Sequence, residues 1–208
     1  PRERPMTRLF SDQERDRISA AIAAAERRTA GEIVAVVTEA SDAYQYVPFA
    51  WAALAALLVP WPLIHYTWIS VQTIYVLQLG VFLVLLLLFW PKRVRSRFVP
   101  KSLRDAHAHR RATEQFLVQN LHTTAGRTGV MIFVSVAEHY AEILADSGID
   151  ARLPHGTWQT IVDRLTAEIA AQRPADAFVH AIEQIGAHLA KHFPPVPLDP
   201  NELPNHLI

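Results

Sequence analysis

The sequence predicts an α/β fold: a small three-layer domain with a mixed sheet, split by an inserted two-helix transmembrane hairpin. Outside the middle of the chain, helix and strand patterns follow in the order helix, strand, helix, strand, strand, helix, helix, which is typical of a layered α/β domain. Between the first strand and the second helix, residues 47–90 contain no Asp, Glu, Lys or Arg. A helix of about 20 mostly apolar residues crosses the bilayer core, so this stretch is long enough for two spans.

The first soluble segment predicts a helix followed by a buried strand. Ser11 and Glu14 have the spacing of a capping box, and Gly31 is expected to end the helix. Residues 32–37 (EIVAVV) are nearly continuously apolar, which is typical of a strand buried on both faces. The helix residues expected to face the core are Ile18, Ala21, Ile22 and Ala25.

The central apolar segment predicts the hairpin. Residues 69–90 cross a bilayer comfortably, whereas the first run contains Pro60 and Pro62 and either crosses fully or ends at Pro60 as a shallower segment. The uninterrupted apolar length of the whole segment disfavours the alternative, which is a buried hairpin in the core of a soluble protein. Basic residues follow the second span and the turn carries no charge, so the positive-inside rule places both termini on the cytoplasmic side of an inner, cytoplasmic-type membrane. These basic residues are Lys92, Arg93, Arg95, Arg97, Lys101 and Arg104.

The chain after the hairpin predicts the rest of the domain. The basic stretch is expected to continue as a helix, Gly129 opens a second buried strand, and a shorter strand follows at Tyr140–Ala145. Residues 146–150 are rich in turn formers, which predicts a loop. Two amphipathic helices close the domain, one containing Trp158 and one after Pro174. The residues expected to face the core from these three helices are Ala112, Phe116, Leu117, Leu121, Trp158, Ile161, Val162, Leu165, Ile169, Phe178, Ile182, Ile185, Leu189 and Phe193.

The passage from strand to helix to strand predicts parallel pairing of the first two strands through a right-handed crossover that contains the hairpin. The expected divisions are 1–43 and 92–193 for the two parts of the domain and 44–91 for the hairpin. Residues 194–208 form a proline-rich tail, which is expected to be extended or disordered and to contact a partner.

Several stretches outside the hairpin share their order and spacing with a known family. They are residues 25–33 (AERRTAGEI), 127–133 (RTGVMIF) and 142–149 (EILADSGI), followed by 158–162 (WQTIV) and 189–194 (LAKHFP). Together they resemble the TPM domain family over nearly all of the soluble chain. The chain is accordingly identified as a membrane-anchored member whose TPM-like domain is split by the hairpin.

This resemblance implies one of several functions. Some family members are described as acid phosphatases, others as assembly or repair factors for photosynthetic complexes, and others as accessory subunits of membrane receptors. The family's usual loop after the third strand has a Gly-aromatic-Gly-x-Glu pattern followed by an aspartate. This chain has Gly148-Ile149-Asp150 there and then RLPHG at 152–156, so the first glycine and the glutamate are not reproduced.

Three carboxylates near strand ends are candidate metal ligands. Glu32 opens the first strand, Asp146 follows the third and Asp150 lies in the next loop. Converging carboxylate oxygens suit calcium or magnesium, and such an ion polarises a phosphoryl group in a phosphatase. Asp146, Asp150 and His155 are the candidate catalytic residues, with His155 as a general acid. The favoured alternative is that these residues are turn formers and solvated charges, since no EF-hand spacing is present.

Composition narrows the function further. The net charge is zero, so no global basic field indicates nucleic acid, and the basic cluster after residue 90 suits anionic lipid headgroups. There is no cysteine, which excludes disulfides and cysteine zinc sites. We expect a non-catalytic accessory protein whose partners are the lipid bilayer and an integral membrane protein complex. The alternative is a metal-dependent phosphatase at the cytoplasmic membrane surface.

Overall fold

In a computed structural model, the chain forms a three-stranded mixed sheet flanked by helices, together with a hairpin of apolar helices. The structure describes residues 10–39, 46–89, 99–124, 126–154, 156–195 and 207. In chain order the elements are α1 (Asp12–Glu26), β1 (Glu32–Thr38), α2 (Tyr46–Leu58), α3 (Pro60–Tyr66), α4 (Val71–Phe89), α5 (Lys101–Val118), a 3-10 turn (Leu121–Thr123), β2 (Gly129–Ser135), β3 (Tyr140–Ala145), α6 (Ser147–Asp150), α7 (Thr157–Ala170) and α8 (Pro174–His192).

The sheet has the order β1-β2-β3, with β2 in the centre. Strands β1 and β2 are parallel and pair from Glu32↔Gly129 to Thr38↔Ser135, as the crossover predicts. Strand β3 is antiparallel to β2, because only a short turn joins the two. Every residue of β2 is buried, which explains its continuous apolar run.

Alternating strand residues enter two separate cores, which make the three layers. The larger core packs one face of the sheet against α1, α7 and α8, and its residues on the two parallel strands are Ile33, Ala35, Val37, Val130, Ile132 and Val134. On the other face the sheet packs against α5 and the 3-10 turn, through Val34, Val36, Ala112, Leu121, Met131 and Phe133. The predicted layer architecture is confirmed.

Helix α1 begins with the predicted capping box. The Glu14 N–H donates to Ser11 Oγ at 3.3 Å, and the Ser11 N–H donates to Glu14 Oε2 at 2.8 Å. The helix ends at Glu26, well before Gly31, so the expected end was wrong. The intervening turn is tied to the end of α8, because the Thr29 hydroxyl and the Ala30 N–H both donate to the Phe193 carbonyl, at 2.7 and 3.1 Å.

The expected loop at 146–150 is instead one turn of helix, α6. Asp146 provides its N-cap, since the Ser147 N–H donates to Asp146 Oδ1 at 2.6 Å. Aspartate favours turns and helix N-caps equally well. The composition of this segment therefore does not distinguish the two structures.

Leu117 was expected to face the core but is 52% exposed. The inward face of α5 passes through Ala108, Ala112 and the partly buried Phe116, which are spaced by one helical turn. Leu121 is buried as expected, but it lies beyond the helix, after Asn120 takes a left-handed conformation with φ 57°.

The chain divides into two compact units, Pro1–Ser41 with Ala106–Ile208, and Asp42–Asp105. The second unit contains α2, α3 and α4. Its helical stretches Phe49–Tyr66 and Val71–Phe89 are long and apolar enough to cross a membrane, and only 11% and 6% of their residues are buried. The first stretch continues past Pro60, which occupies the first turn of α3, where its missing N–H is not needed.

Beyond residue 195 the structure describes Leu207, so most of the expected extended tail lies outside the described residues. Leu207 forms a parallel β-bridge with Ala35. Its side chain also packs against the larger core. This part of the tail therefore returns to the domain.

Candidate functional site

The strand ends bring Glu32 and Asp146 to the same end of the sheet. Glu32 is paired with Gly129, and the Gly129 carbonyl accepts a hydrogen bond from the Asp146 N–H at 2.9 Å. The two carboxylate residues therefore lie on either side of the central strand. At the usual strand spacing their backbones are about 10 Å apart.

The two oxygens of the Asp146 carboxylate have different surroundings. Oδ1 accepts hydrogen bonds from the Ser147 N–H at 2.6 Å and the Ser147 hydroxyl at 3.1 Å. Oδ2 is buried and has no hydrogen-bond partner among the described residues. A buried carboxylate oxygen without a partner is costly, so Oδ2 is the atom at which a cation or a hydrogen-bond donor fits.

Arg127 brings a positive charge close to this carboxylate. Its Nη1 donates to the Ser147 hydroxyl at 3.4 Å, and its backbone is left-handed with φ 49°. The two loops pack tightly, because a Cβ added to Gly148 would lie 2.5 Å from the Arg127 carbonyl oxygen. This contact places Arg127 beside the candidate aspartate.

The structure describes only one of the other two candidate residues, Asp150 and His155. Asp150 is exposed and accepts a hydrogen bond from the Trp158 indole N–H at 3.3 Å. His155 lies outside the described residues. Within the described ranges, no group of three His, Asp or Glu side chains lies close enough together to hold a metal ion.

The opposite end of the sheet contains a groove that the sequence did not predict. It has a volume of about 410 Å³ and lies at the carboxyl ends of the parallel strands, the position where open α/β sheets bind ligands. Its walls are largely apolar and come from all three strands, from α7 and from the start of α8. The main apolar residues are Phe10, Val37, Val134, Ile169 and Phe178.

Two residues at the rim of the groove have a left-handed backbone. His139 has φ 52° and Gln172 has φ 61°, a conformation that non-glycine residues rarely adopt. The Thr166 hydroxyl also lines the groove, but it donates to the Val162 carbonyl of its own helix. His139 and Gln172 are among the polar residues that line the groove.

A buried polar pair lies beneath one wall. Ser135 and Glu138 are 0% and 3% exposed, and the Ser135 hydroxyl donates to the Glu138 carboxylate. The turn that holds them is joined to the end of β1, since the Val136 N–H donates to the Thr38 carbonyl at 3.0 Å. In the sequence, the predicted parallel pairing of β1 and β2 is the one feature that indicates a ligand site at this end of the sheet.

Comparison with known proteins agrees with the fold. The sequence model of the TPM domain matches residues 98–188. The structure is similar to the NMR structure of the BA42 protein from the psychrophilic bacterium Bizionia argentinensis sp. nov., with a TM-score of 0.61 and 20% sequence identity, over 99% of this chain and 98% of that chain. No curated protein matches the chain. At this identity the structural likeness supports the fold alone.

Proposed function

The chain carries a TPM domain at residues 98–188, and from that premise we propose that it is a membrane-anchored accessory protein. It binds or helps to assemble an integral membrane protein complex and is not a catalyst. The observation that carries this proposal is the exposure of the two apolar helical stretches, of which only 11% and 6% is buried. The exposed side chains of these stretches include Leu57 (70%), Val76 (70%) and Leu87 (73%).

Exposing the apolar surface of these two helices to water would be unfavourable in free energy. Apolar surface removed from water contributes about 25 cal/mol per Å², and soluble monomers rarely expose contiguous apolar patches above a few hundred Å². Both helices are apolar on all sides, which is typical of membrane spans. A bilayer would remove this apolar surface from water, and the basic residues at 92–104 suit the anionic headgroups of the cytoplasmic leaflet.

A protein partner is supported by the small residues of α2. Ala52 and Ala56 are buried, whereas Ala50 and Ala53 are exposed. Small residues let membrane helices approach closely. The buried alanines therefore pack within the hairpin, and the exposed alanines are available to a helix of another protein. On the soluble side, the apolar groove beside His139 offers a further surface for docking.

The test is native electrophoresis of the tagged chain after extraction in mild detergent, with mass spectrometry of the band. We expect the chain to migrate within a large assembly. A variant whose helices α2 and α4 are replaced by leucine–alanine helices of equal length keeps an anchor but loses the native surface. It should remain in the membrane and leave the assembly. If that variant still co-migrates with the assembly, or if the native chain migrates alone, the hairpin is not the docking element.

A metal-dependent phosphatase at the cytoplasmic membrane surface is the second candidate function. It is supported by Asp146 Oδ2, which has no hydrogen-bond partner within the described ranges, and by the neighbouring Arg127. The test is hydrolysis of a phosphate ester as calcium or magnesium is added. Asp146→Asn should abolish metal-stimulated turnover, whereas Asp16→Asn, at an exposed aspartate of α1, should not. Equal turnover in both variants would exclude this role for Asp146.

A further inference from the structure

Helix α4 carries one polar side chain deep within its apolar stretch. Between residues 76 and 89, Gln78 is the one residue with a polar side chain. It lies seven residues after Val71, at which α4 begins, and this is about 10 Å along the helix axis. In the bilayer of the proposed function, that depth falls within the hydrocarbon core, which is about 30 Å thick.

The rest of the hairpin does not satisfy this side chain. Ile74 is buried and Gln78, one turn later, is half-buried, so both lie on the side of α4 that faces the rest of the hairpin. Helix α2 packs against α4, and its residues 52–58 (AALAALL) are all apolar. Within the ranges that the structure describes, the Gln78 amide has no hydrogen-bond partner.

An amide in this position is unfavourable in a bilayer. Hydrocarbon supplies no donor or acceptor, so an unpaired polar group there loses the hydrogen bonds that it makes in water. Polar residues inside membrane spans are therefore rare, and those that occur pair with other groups. Because the described part of the hairpin offers Gln78 no such group, its partner comes from a second molecule.

We propose that this second molecule is another copy of the same chain, and that two hairpins associate through their Gln78 amides. The proposal rests on the membrane insertion in the proposed function and adds a self-association site to it. An amide has both N–H donors and a carbonyl acceptor, so two copies related by a two-fold axis each donate to the other. Two copies inserted in the same orientation also place Gln78 at the same depth, so the amides meet without a shift of one helix along the other.

The side chains beside Gln78 suit this arrangement. Val81, Phe82 and Leu85 are also half-buried, so part of each remains uncovered within the hairpin. A second hairpin packed against this side of α4 covers them and forms a four-helix bundle with the two glutamines inside. A carboxylate or an ammonium group from a different protein satisfies only the donors or only the acceptor of the amide, and is itself unfavourable in hydrocarbon.

Sedimentation equilibrium of the full chain in density-matched detergent micelles tests the proposal. The native chain should form a dimer that dissociates as detergent is added. Gln78→Leu should raise the dissociation constant of the dimer roughly tenfold, because two interhelical hydrogen bonds are lost. Gln72→Leu is the matched control and should leave the dissociation constant unchanged, since Gln72 is exposed in the first turn of α4. Gln78→Asn keeps an amide and should dissociate less readily than Gln78→Leu.

Disulfide cross-linking in membranes locates the contact, because the chain has no cysteine of its own. On oxidation, Gln78→Cys should form covalent dimers. Val76→Cys should not, since Val76 is 70% exposed and lies on the opposite side of the helix. Equal cross-linking at both positions would report random collision and would overturn the site.

The proposal also fails if the native chain sediments as a monomer, or if Gln78→Leu has the dissociation constant of the native chain. Neither result bears on the proposed function, which is judged by migration of the chain within a large assembly. A dimer that joins no such assembly would contradict the proposed function and leave the Gln78 contact in place.

Discussion

At the residue scale, Asp146 shows how a structural role and a candidate chemical role share one side chain. Oδ1 caps α6 through the Ser147 N–H, and Oδ2 is buried without a described partner. The cap by itself explains why an aspartate stands at this position. The second oxygen is what remains for binding a cation or a donor.

Replacement of Asp146 separates the two roles. Asp146→Ala removes the cap and should lower the free energy of unfolding by about 1 kcal/mol. Asp146→Asn keeps an oxygen that can accept from Ser147 and should lose much less. Denaturant unfolding of the detergent-solubilised chain measures both. Equal losses in the two variants would mean that the charge, rather than the cap, stabilises this turn.

Glu168 of α7 is the residue whose ionisation should affect stability with pH. Hydrogen bonds from Arg164 Nε at 2.9 Å and from His180 Nδ1 at 2.8 Å lower the pKa of this carboxyl from its usual 4.5. A lowered pKa means that the stabilisation is present above pH 4.5 and is lost as the pH falls through the folded-state value. Glu168→Gln should therefore lower the unfolding midpoint at pH 7, and the difference from the native chain should vanish in acid below that value.

The matched control for this measurement is Glu183→Gln, at an exposed glutamate of α8. Its unfolding midpoint should follow that of the native chain from pH 7 into acid. A difference between native chain and Glu168→Gln that stays constant over this range would contradict the ionic account. It would indicate instead that packing of the Glu168 side chain is what matters.

At the element scale, helices α1 and α8 approach closely where they cross. A Cβ added to Gly186 would lie 2.8 Å from the Ala25 Cβ and 3.4 Å from its Cα. Both positions are buried in the larger core. The glycine therefore stands here because two backbones approach closely, and helix propensity alone would favour alanine by about 1 kcal/mol.

Gly186→Ala should destabilise the domain despite that propensity gain, because overpacking a rigid contact costs about 1–3 kcal/mol. Gly80→Ala is the matched control, since Gly80 also lies inside a helix but a Cβ there meets nothing within 4 Å. The thermal midpoint of the soluble domain should fall in the first variant and stay unchanged in the second. A stabilised Gly186→Ala would show that α1 and α8 can separate at little cost.

The elements also show where periodicity is a sufficient guide. Strand β3 has its predicted bounds, Tyr140–Ala145, because a turn and a capping aspartate delimit it. Leu117 was misplaced because apolar residues are consecutive at the end of α5. Neighbouring positions lie on different sides of a helix, so the sequence does not show which of these residues faces inward. The end of α1 was misplaced because it depends on Thr29 and Phe193, which are far apart in sequence.

At the scale of the whole molecule, the sheet is built from strands that precede and follow the inserted hairpin in the sequence. Strand β1 ends at Thr38 and α5 begins at Lys101, yet β1 pairs with β2 over its full length. The two parts of the domain thus form one unit, with the hairpin as a second. An insertion is tolerated where the chain would in any case leave the sheet to make a crossover.

Membrane topology is testable by single-cysteine labelling, because the chain has no cysteine of its own. Thr67→Cys, in the turn between the apolar helices, should react with a membrane-impermeant maleimide in intact cells. Glu183→Cys, on α8, should react after the membrane is broken, since the domain is expected in the cytoplasm. The reverse pattern would invert the proposed topology, and labelling of both in intact cells would argue against it.

The candidate site was partly accessible from the sequence. Their positions at strand ends and in the following loop indicated Glu32, Asp146 and Asp150. The structure places Glu32 and Asp146 at one end of the sheet, but Asp150 is bonded to Trp158. The groove near His139 was not predicted, because its walls come from five separate elements and its residues share no sequence pattern. A cavity is a property of packing rather than of any segment.

The sequence by itself determined the parts that depend on local chemistry. Apolar periodicity determined the strands, the amphipathic helices and the two long apolar helices, and the order of the elements determined the parallel pair. Only the tertiary structure decided that Leu207 pairs with Ala35, and which oxygen of Asp146 has no partner among the residues that the structure describes. Each of these depends on groups brought together from distant parts of the chain. Their energies belong to the contact and cannot be assigned to either residue alone.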